Sequence, residues 1–383
     1  MTISILHHAA LRHRGGAVRV ARLLQSTQAA EGLDARFSFE VDENDPEDLR
    51  ATGKPQPTPP GMAPVTTSPT TLARRAAELP PSGVTHLHTT TDWPTLLEGL
   101  LDSNTASGLI VTLHDATPLT GGCAYPLNCP HFPACADPCP RAFPQARMRQ
   151  AHIRRLLQRL EPVLVSPSSW LAGLAKAALP GLNVRVIPNG VPWPERDALP
   201  KKGDARKALG IAPGAKVALF AAHGGPRAAY KSGPAWHEHF ARLATRLPET
   251  LGFAVGGDEA STQDGLTIWP YLDRAKLALL MRAADCLVYP TLADNHPLLL
   301  LEAAALELPV ASYDAGGVPE ILRHNETGLL SPTGDAEALA ENAASLLANP
   351  TLARTLGRNA RDLGGKHFTL ARMAADYRKL LGK

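Results

Sequence analysis

Short apolar runs alternate with longer stretches of helical period from one end of the chain to the other. Runs rich in apolar and β-branched residues at 2–9, 35–41, 84–90, 109–114, 162–167 and 184–188 predict strands in the first half. Between them, apolar positions spaced three and four apart predict amphipathic helices over 17–30, 72–79, 93–101 and 145–160. The second half repeats the plan. Its strands are expected at 217–222, 252–256, 266–269, 286–290 and 309–313, and its helices over 234–247, 274–284, 297–306 and 336–347. The strand runs do not alternate strictly, so both of their faces should be covered, as in parallel sheets flanked by helices.

This pattern predicts an α/β protein built from two doubly wound, Rossmann-like domains. A single sheet would need about eleven strands, above the usual limit. The proline-rich, polar stretch 189–202 reads as the linker. The expected division is an N-terminal domain over 1–190 with an insertion at 116–145, and a C-terminal domain over 203–365. A closing helical segment, 366–383, is a candidate to cross back to the N-terminal domain. Folds of this kind bind ligands outside the carboxyl ends of their strands, and a cleft between two of them suits a small molecule.

Composition narrows the function. Of 383 residues, 44% are hydrophobic and 20% charged, which excludes wholesale disorder. A net charge of +3 argues against a nucleic-acid binder that works by bulk charge. The apolar start is too short for a signal peptide, and the longest apolar stretch, 297–311, is broken by Glu302 and Glu307. The chain is therefore expected in the cytoplasm, where thiols stay reduced.

The stretch that carries chemistry is 289–320, YPTLADNHPLLLLEAAALELPVASYDAGGVPE. Asp294 is expected on a loop. Asn295 and His296 lead into Pro297, a favoured first helical residue. The helix behind it would offer the backbone N–H groups of Leu298 and Leu299 to a phosphate. Glu302, just over a turn further in, would accept hydrogen bonds from a pair of neighbouring hydroxyls. One loop and one helix thus offer two polyol acceptors and a phosphate cradle, the needs of a nucleotide-sugar. Acids that merely cap a buried helix would leave the same pattern.

The stretch resembles the signature of the retaining glycosyltransferases of family 4, which have the GT-B fold of two doubly wound domains facing across a cleft. Their pattern of an acid, seven residues, Glu, Pro-Val, a strand and Gly-Gly-x-x-Glu is matched by Asp294, Glu302, Pro309, Val310, Gly316, Gly317 and Glu320. The first acid is usually Glu in that family, and Asp294 is one methylene shorter. The resemblance implies further roles. Gly15 and Gly16 would let backbone approach the donor phosphates. Arg227 and Lys231 match the basic pair that meets the diphosphate, and Gly256 ends the strand beside the base and ribose. Asn295 and His296 join Leu298, Leu299 and Glu302 on the donor. His114, at a predicted strand end, resembles the histidine beside the reacting sugar.

Other residues leave alternatives open. His86 and His88 sit two apart on one strand, but the chain shows no third ligand at useful spacing, so they read as structural or cleft-lining. Cys123, Cys129, Cys135 and Cys139 resemble an insertion in a subgroup associated with exopolysaccharide or colanic-acid synthesis. Their intervals fit a structural zinc, disulfides or packed free thiols. The segment 141–159 holds six arginines beside an apolar stripe of Ile153, Leu156, Leu157 and Leu160. It reads as a solvated helix face or as a peripheral contact with an anionic membrane.

The expected function is transfer of a sugar, with retention, from a nucleoside-diphosphate sugar to a glycan or lipid-linked glycan in polysaccharide biosynthesis. No cofactor or divalent metal is expected in catalysis, because fixed cations and a helix N-terminus can meet the diphosphate. The rivals are a nucleotide-sugar epimerase on the same fold and a non-catalytic glycan-binding relative. A dehydrogenase is disfavoured, since no Gly-x-Gly-x-x-Gly follows the first strand.

Overall fold

The computed structural model describes residues 3–44, 83–103, 108–221, 229–231, 235–257 and 259–381. The helix expected over 72–79 lies outside them, as does Arg227. The chain divides into two compact units. One is Met1–Asn189 together with Leu370–Lys383, and the other is Gly190–Thr369.

The first unit is built on strands β1 (Ser4–Leu11), β2 (Asp34–Val41), β3 (Val84–Leu87), β4 (Gly108–Thr112), β5 (Val163–Ser166) and β6 (Val184–Val186). They form one sheet in the order β2-β1-β3-β4-β5-β6, every pairing parallel. Its register sets His7 of β1 directly opposite His86 of β3. The helices are α1 (Gly16–Ala30), α2 (Trp93–Asp102), α3 (Ala146–Leu160) and α4 (Ser169–Ala178). β4 ends at Thr112, short of the expected 114, with the Leu113 N–H still donating to Val165 O at 2.7 Å.

The apolar stripe of α3 goes into this unit's own core. Ile153, Leu156 and Leu157 are buried beside Leu97, Val111, Leu113 and Leu164, and Leu160 packs against them. Burying such a side chain yields about 1.5–3 kcal/mol once, so a stripe already in the core gains nothing by entering lipid. The stripe is taken up by the core, and Arg147, Arg154, Arg155 and Arg159 lie on the exposed side of the helix. No described helix is long and apolar enough to cross a membrane.

The second unit carries helices α5 (Lys202–Ala208), α6 (Trp236–Arg246), α7 (Arg274–Ala283), α8 (Leu298–Ala305), α9 (Ala336–Ala348) and α10 (Pro350–His367). Its strands are β7 (Lys216–Ala221), β8 (Thr250–Gly257), β9 (Ser261–Gln263), β10 (Leu266–Pro270), β11 (Cys286–Tyr289), β12 (Val310–Tyr313) and β13 (Leu329–Ser331). The order is β13-β12-β11-β7-β8-β10-β9, antiparallel only where β9 meets β10. Cys286 is plain core, with no exposed surface.

The chain's last helix, α11 (Leu370–Leu381), belongs to the first unit. Its Met373, Ala374 and Tyr377 are buried, and the Tyr377 hydroxyl is hydrogen-bonded to Thr112 Oγ1 at 2.8 Å. Both sheets reverse their winding once, between β1 and β3 and between β7 and β11. Those switch points leave a crevice at the carboxyl ends of the strands.

Candidate active site

At the switch point of the second unit, the chain leaving β7 meets the chain leaving β11. Lys231 follows β7 and Asp294 follows β11, and Lys231 Nζ lies 3.1 Å from Asp294 Oδ2. The Tyr289 hydroxyl, at the end of β11, donates to the same oxygen at 2.6 Å. The Asn295 N–H donates to Asp294 Oδ1 at 2.8 Å. Burial opposes the Lys231 charge, but Asp294 and Tyr230 outweigh it and leave the ammonium's pKa above the ordinary lysine value. Burial, then the Asp294 charge, pushes the Tyr289 phenol well above its usual range, so it stays a donor.

The glycine pair closes on the same loop. Gly317 N–H donates to the Asp294 carbonyl at 2.8 Å. Gly316 has φ +59, and a Cβ there would stand 2.4 Å from that carbonyl oxygen. Only glycine fits such an approach.

Helix α8 follows directly. Its first residue is Leu298, one position later than the expected start at 297, because Pro297 is the N-cap with an extended ψ of 120°. No side chain caps α8, so its leading N–H groups, Leu298 and Leu299 among them, suit an anion. Asn295 and His296 are buried just before it. Glu302, in its second turn, is paired: Arg274 Nη1 donates to Glu302 Oε1 at 2.6 Å. Arg274 opens α7 behind its N-cap Asp273, whose side chain accepts from the Lys276 N–H. The separation of 28 positions between Arg274 and Glu302 carries no spacing signal for this pair. Gly256 stands near the end of β8 with φ +114.

In the first unit, Gly15 caps α1 with φ 97, and Gly16 begins the helix with open space where a side chain would be. His114 lies two residues past β4. Burial pushes its imidazole down to about 3, so it is neutral and acts through hydrogen bonds, not charge. Its Nε2 is 3.1 Å from His88 Nδ1. His88 Nε2 is in turn 3.1 Å from His7 Nδ1, and His7 Nε2 is 2.8 Å from Gln28 Oε1. His86 Nε2 is 2.7 Å from Thr112 Oγ1. This corrects the expectation that His86 and His88 have no third partner. The third is His7, on a neighbouring strand 79 residues earlier than His86, where no sequence spacing could place it.

The cysteines form no disulfide. Cys123 is buried with Phe143 and Ala146, and Cys135 and Cys139 pack against them. Among the described residues, His7, His86 and His88 are the one group of three or more His, Cys, Asp or Glu whose ligand atoms gather within 4.8 Å. Arg149 of α3 pairs with Asp92, and Arg141 donates to the carbonyls of Tyr125 and Pro126.

Curated relatives match parts of the chain. It is 31% identical over 101 residues to N-acetyl-alpha-D-glucosaminyl L-malate synthase of Bacillus anthracis, 26% of each protein. It is 31% identical over 142 residues to a D-inositol 3-phosphate glycosyltransferase of Mycobacterium avium, 36% of this chain and 33% of that one. It is 44% identical over 72 residues to the amylovoran biosynthesis glycosyltransferase AmsK of Erwinia amylovora, 18% of this chain and 16% of that one. The matches to the first two span about a quarter to a third of their length.

Solved structures match the whole chain. Sucrose-phosphate synthase from Thermosynechococcus elongatus superposes with a TM-score of 0.71 at 20% identity, covering 99% of this chain and 98% of that one. HepE of Anabaena in complex with UDP-glucose gives 0.69 at 17% identity, covering 99% of both. The fold is that of the GT-B glycosyltransferases, and residues 258–363, which hold Asp294, Glu302 and the Gly316–Gly317 pair, match the family of glycosyl transferases group 1.

Proposed function

We propose that the protein is a retaining glycosyltransferase of the family 4 type, moving a sugar from a nucleoside-diphosphate sugar to a glycan or lipid-linked glycan. The observation that carries this reading is the Lys231–Asp294 pair at the head of an uncapped helix, with Glu302 and Arg274 behind it. AmsK is named for amylovoran biosynthesis, and HepE was solved with UDP-glucose, which supports a polysaccharide route and a nucleotide-sugar donor.

In this reaction the anomeric C1–O bond breaks with oxocarbenium character and charge builds on the departing diphosphate. Lys231 and the N–H groups of Leu298 and Leu299 are assigned to meet that charge without rearranging, the kind of preorganised stabilisation that lowers barriers most. Arg227, outside the described residues, is assigned to the same diphosphate. No metal ion is then required on the diphosphate. Asp294 and the neutral His114 are assigned to hydroxyls of the transferred sugar, and Glu302 to the ribose. Gly15, Gly16 and Gly256 give backbone access to the donor. Retention is assigned to same-face attack by the acceptor hydroxyl. Unpaired thiols at all five cysteines support action in a reducing compartment.

The test is a thermal-shift screen of nucleotide-sugars followed by turnover with a glycan acceptor. A true donor raises the melting temperature by mass action and is consumed only with acceptor. A new epimer formed from donor alone, or donor binding without any turnover across acceptors, would overturn the proposal.

A further inference from the structure

The strongest unassigned feature is the buried histidine group at the β1–β3 switch point. His7, His86 and His88 are at most 1% exposed, and one nitrogen of each ring lies within 4.8 Å of the others. Each ring has its remaining nitrogen engaged by an outside group. His7 Nε2 meets Gln28 Oε1 at 2.8 Å, His86 Nε2 meets Thr112 Oγ1 at 2.7 Å, and His88 Nδ1 meets His114 Nε2 at 3.1 Å. Those bonds leave His7 Nδ1, His86 Nδ1 and His88 Nε2 as the ring nitrogens not taken by an outside partner. The first and last of these are 3.1 Å apart.

We propose that His7, His86 and His88 form a binding site for a divalent transition metal of the zinc, cobalt or nickel class. Metal-binding histidines characteristically have their second ring nitrogen held by an outer hydrogen-bond partner, which fixes tautomer and ring direction. All three rings here have that partner. Three imidazoles with no carboxylate or thiolate among them select borderline metals over calcium or magnesium, and they leave a fourth coordination position for water. His7 lies on β1 and His86 on the adjacent β3, while His88, one residue past β3, is tied back to β1 by its N–H donating to the His8 carbonyl at 2.9 Å, so the backbone holds all three rings in place.

Loading the site has a defined consequence for His114. Without metal, Gln28 Oε1 accepts from His7 Nε2–H. His88 Nε2–H must then donate to His7 Nδ1, and His114 Nε2–H to His88 Nδ1. A metal on His88 Nε2 moves that ring's proton to Nδ1, which then donates to His114 Nε2, and the His114 proton moves to its own Nδ1. No net proton is released, since each ring stays neutral. The metal would thus reverse the hydrogen-bond direction that His114 offers.

The experiment uses the full chain after chelator treatment. Stoichiometric Co2+ should give visible d–d bands of nitrogen coordination, with no thiolate-to-cobalt charge transfer. Zn2+ at about 100 times its dissociation constant should raise the melting temperature by about 5 °C or more. Nitrogen-15 NMR should show the protonated ring nitrogen of His114 change from Nε2 to Nδ1 on zinc addition. His86→Phe, which keeps the ring stacking, should lose the cobalt bands, and Cys129→Ser should keep them. Wild-type protein with no cobalt bands and no zinc shift overturns the proposal. So does a thiolate charge-transfer band, which would put the ion on the cysteines, and so do bands that survive in both His86→Phe and His7→Phe.

Discussion

The ammonium of Lys231 stands 3.1 Å from Oδ2 of Asp294, with 18% of the lysine side chain and 10% of the aspartate side chain exposed. Two residues 63 positions apart become one ion pair because β7 and β11 are neighbours whose connections run to opposite sides of the sheet. Removing Lys231 would leave a buried carboxylate held, among the described residues, by the Tyr289 hydroxyl and the Asn295 N–H. Lys231→Ala should therefore lose about 3 kcal/mol, the lower end for breaking a buried pair. It should also lower turnover more than donor binding, because charge on the leaving diphosphate grows in the transition state. Lys231→Ala with Asp294→Ala should lose less than the two single losses added, by about 0.5–3 kcal/mol. Chemical denaturation of the four proteins gives the cycle. Strict additivity would show that the pair is a neighbour relation without energetic weight.

Glu302 and Arg274 separate binding from stability. Arg274 is about half exposed, so its pair with Glu302 should be worth no more than about 1 kcal/mol to folding. Glu302→Gln should nevertheless weaken nucleoside diphosphate by about 1–3 kcal/mol, the cost of losing a charged hydrogen-bond partner. Calorimetric titration of the free nucleotide, beside a melting curve, reads both quantities. A large drop in melting temperature with unchanged nucleotide affinity would make Glu302 a structural anchor for α7.

Gly316→Ala tests the loop that carries Asp294. The left-handed φ alone costs about 1–3 kcal/mol for a side chain, and the added Cβ would stand 2.4 Å from the Asp294 carbonyl oxygen. The variant should melt lower and turn over more slowly, while Gly334→Ala, with φ +87 and open space around it, should lose stability but keep turnover per folded molecule. Equal turnover in the two variants would detach Gly316 from the site.

Acid should act through Glu40. Its carboxylate accepts from Thr91 N–H at 2.8 Å, from the hydroxyls of Thr90 and Thr91, and meets His8 Nε2 at 3.0 Å. Burial tends to raise its pKa, but His8 and the two threonines outweigh burial and hold it below the ordinary carboxylate value. A depressed folded-state pKa means stability present above the unfolded value of about 4.5 and lost as pH falls through the folded one. Glu40→Gln should lower stability at neutral pH by about 1.5–3 kcal/mol and flatten the decline below pH 4.5. Parallel pH–stability curves for the two proteins would refute this.

Much of the fold was legible along the chain because strand and helix periods are local properties. The strands over 286–289 and 310–313 and the helices over 16–30, 93–102 and 274–283 stand within two residues of their expected ends. The three-residue strands β9 and β13 went unread, while the equally short β6 was found because the apolar run 184–188 extends beyond it. The 289–320 stretch was legible for a related reason: Asp294, the α8 N-terminus and Glu302 are close in sequence, so a loop followed by a helix suffices to place them. Lys231 could be named from sequence, but its partner could not.

What the sequence determined by itself is therefore whatever needs no distant contact: the α/β alternation, the Asp294-to-Glu302 spacing, the glycines at turns and the small net charge of +3. What only tertiary structure decided are the contacts made between elements distant in the chain. Parallel strands need long crossovers, so residues that face one another in the sheet lie far apart in the chain. His7 meets His88, Lys231 meets Asp294 and Arg274 meets Glu302 across 81, 63 and 28 positions, and no periodicity in a one-dimensional string encodes which of those distant side chains will share a face.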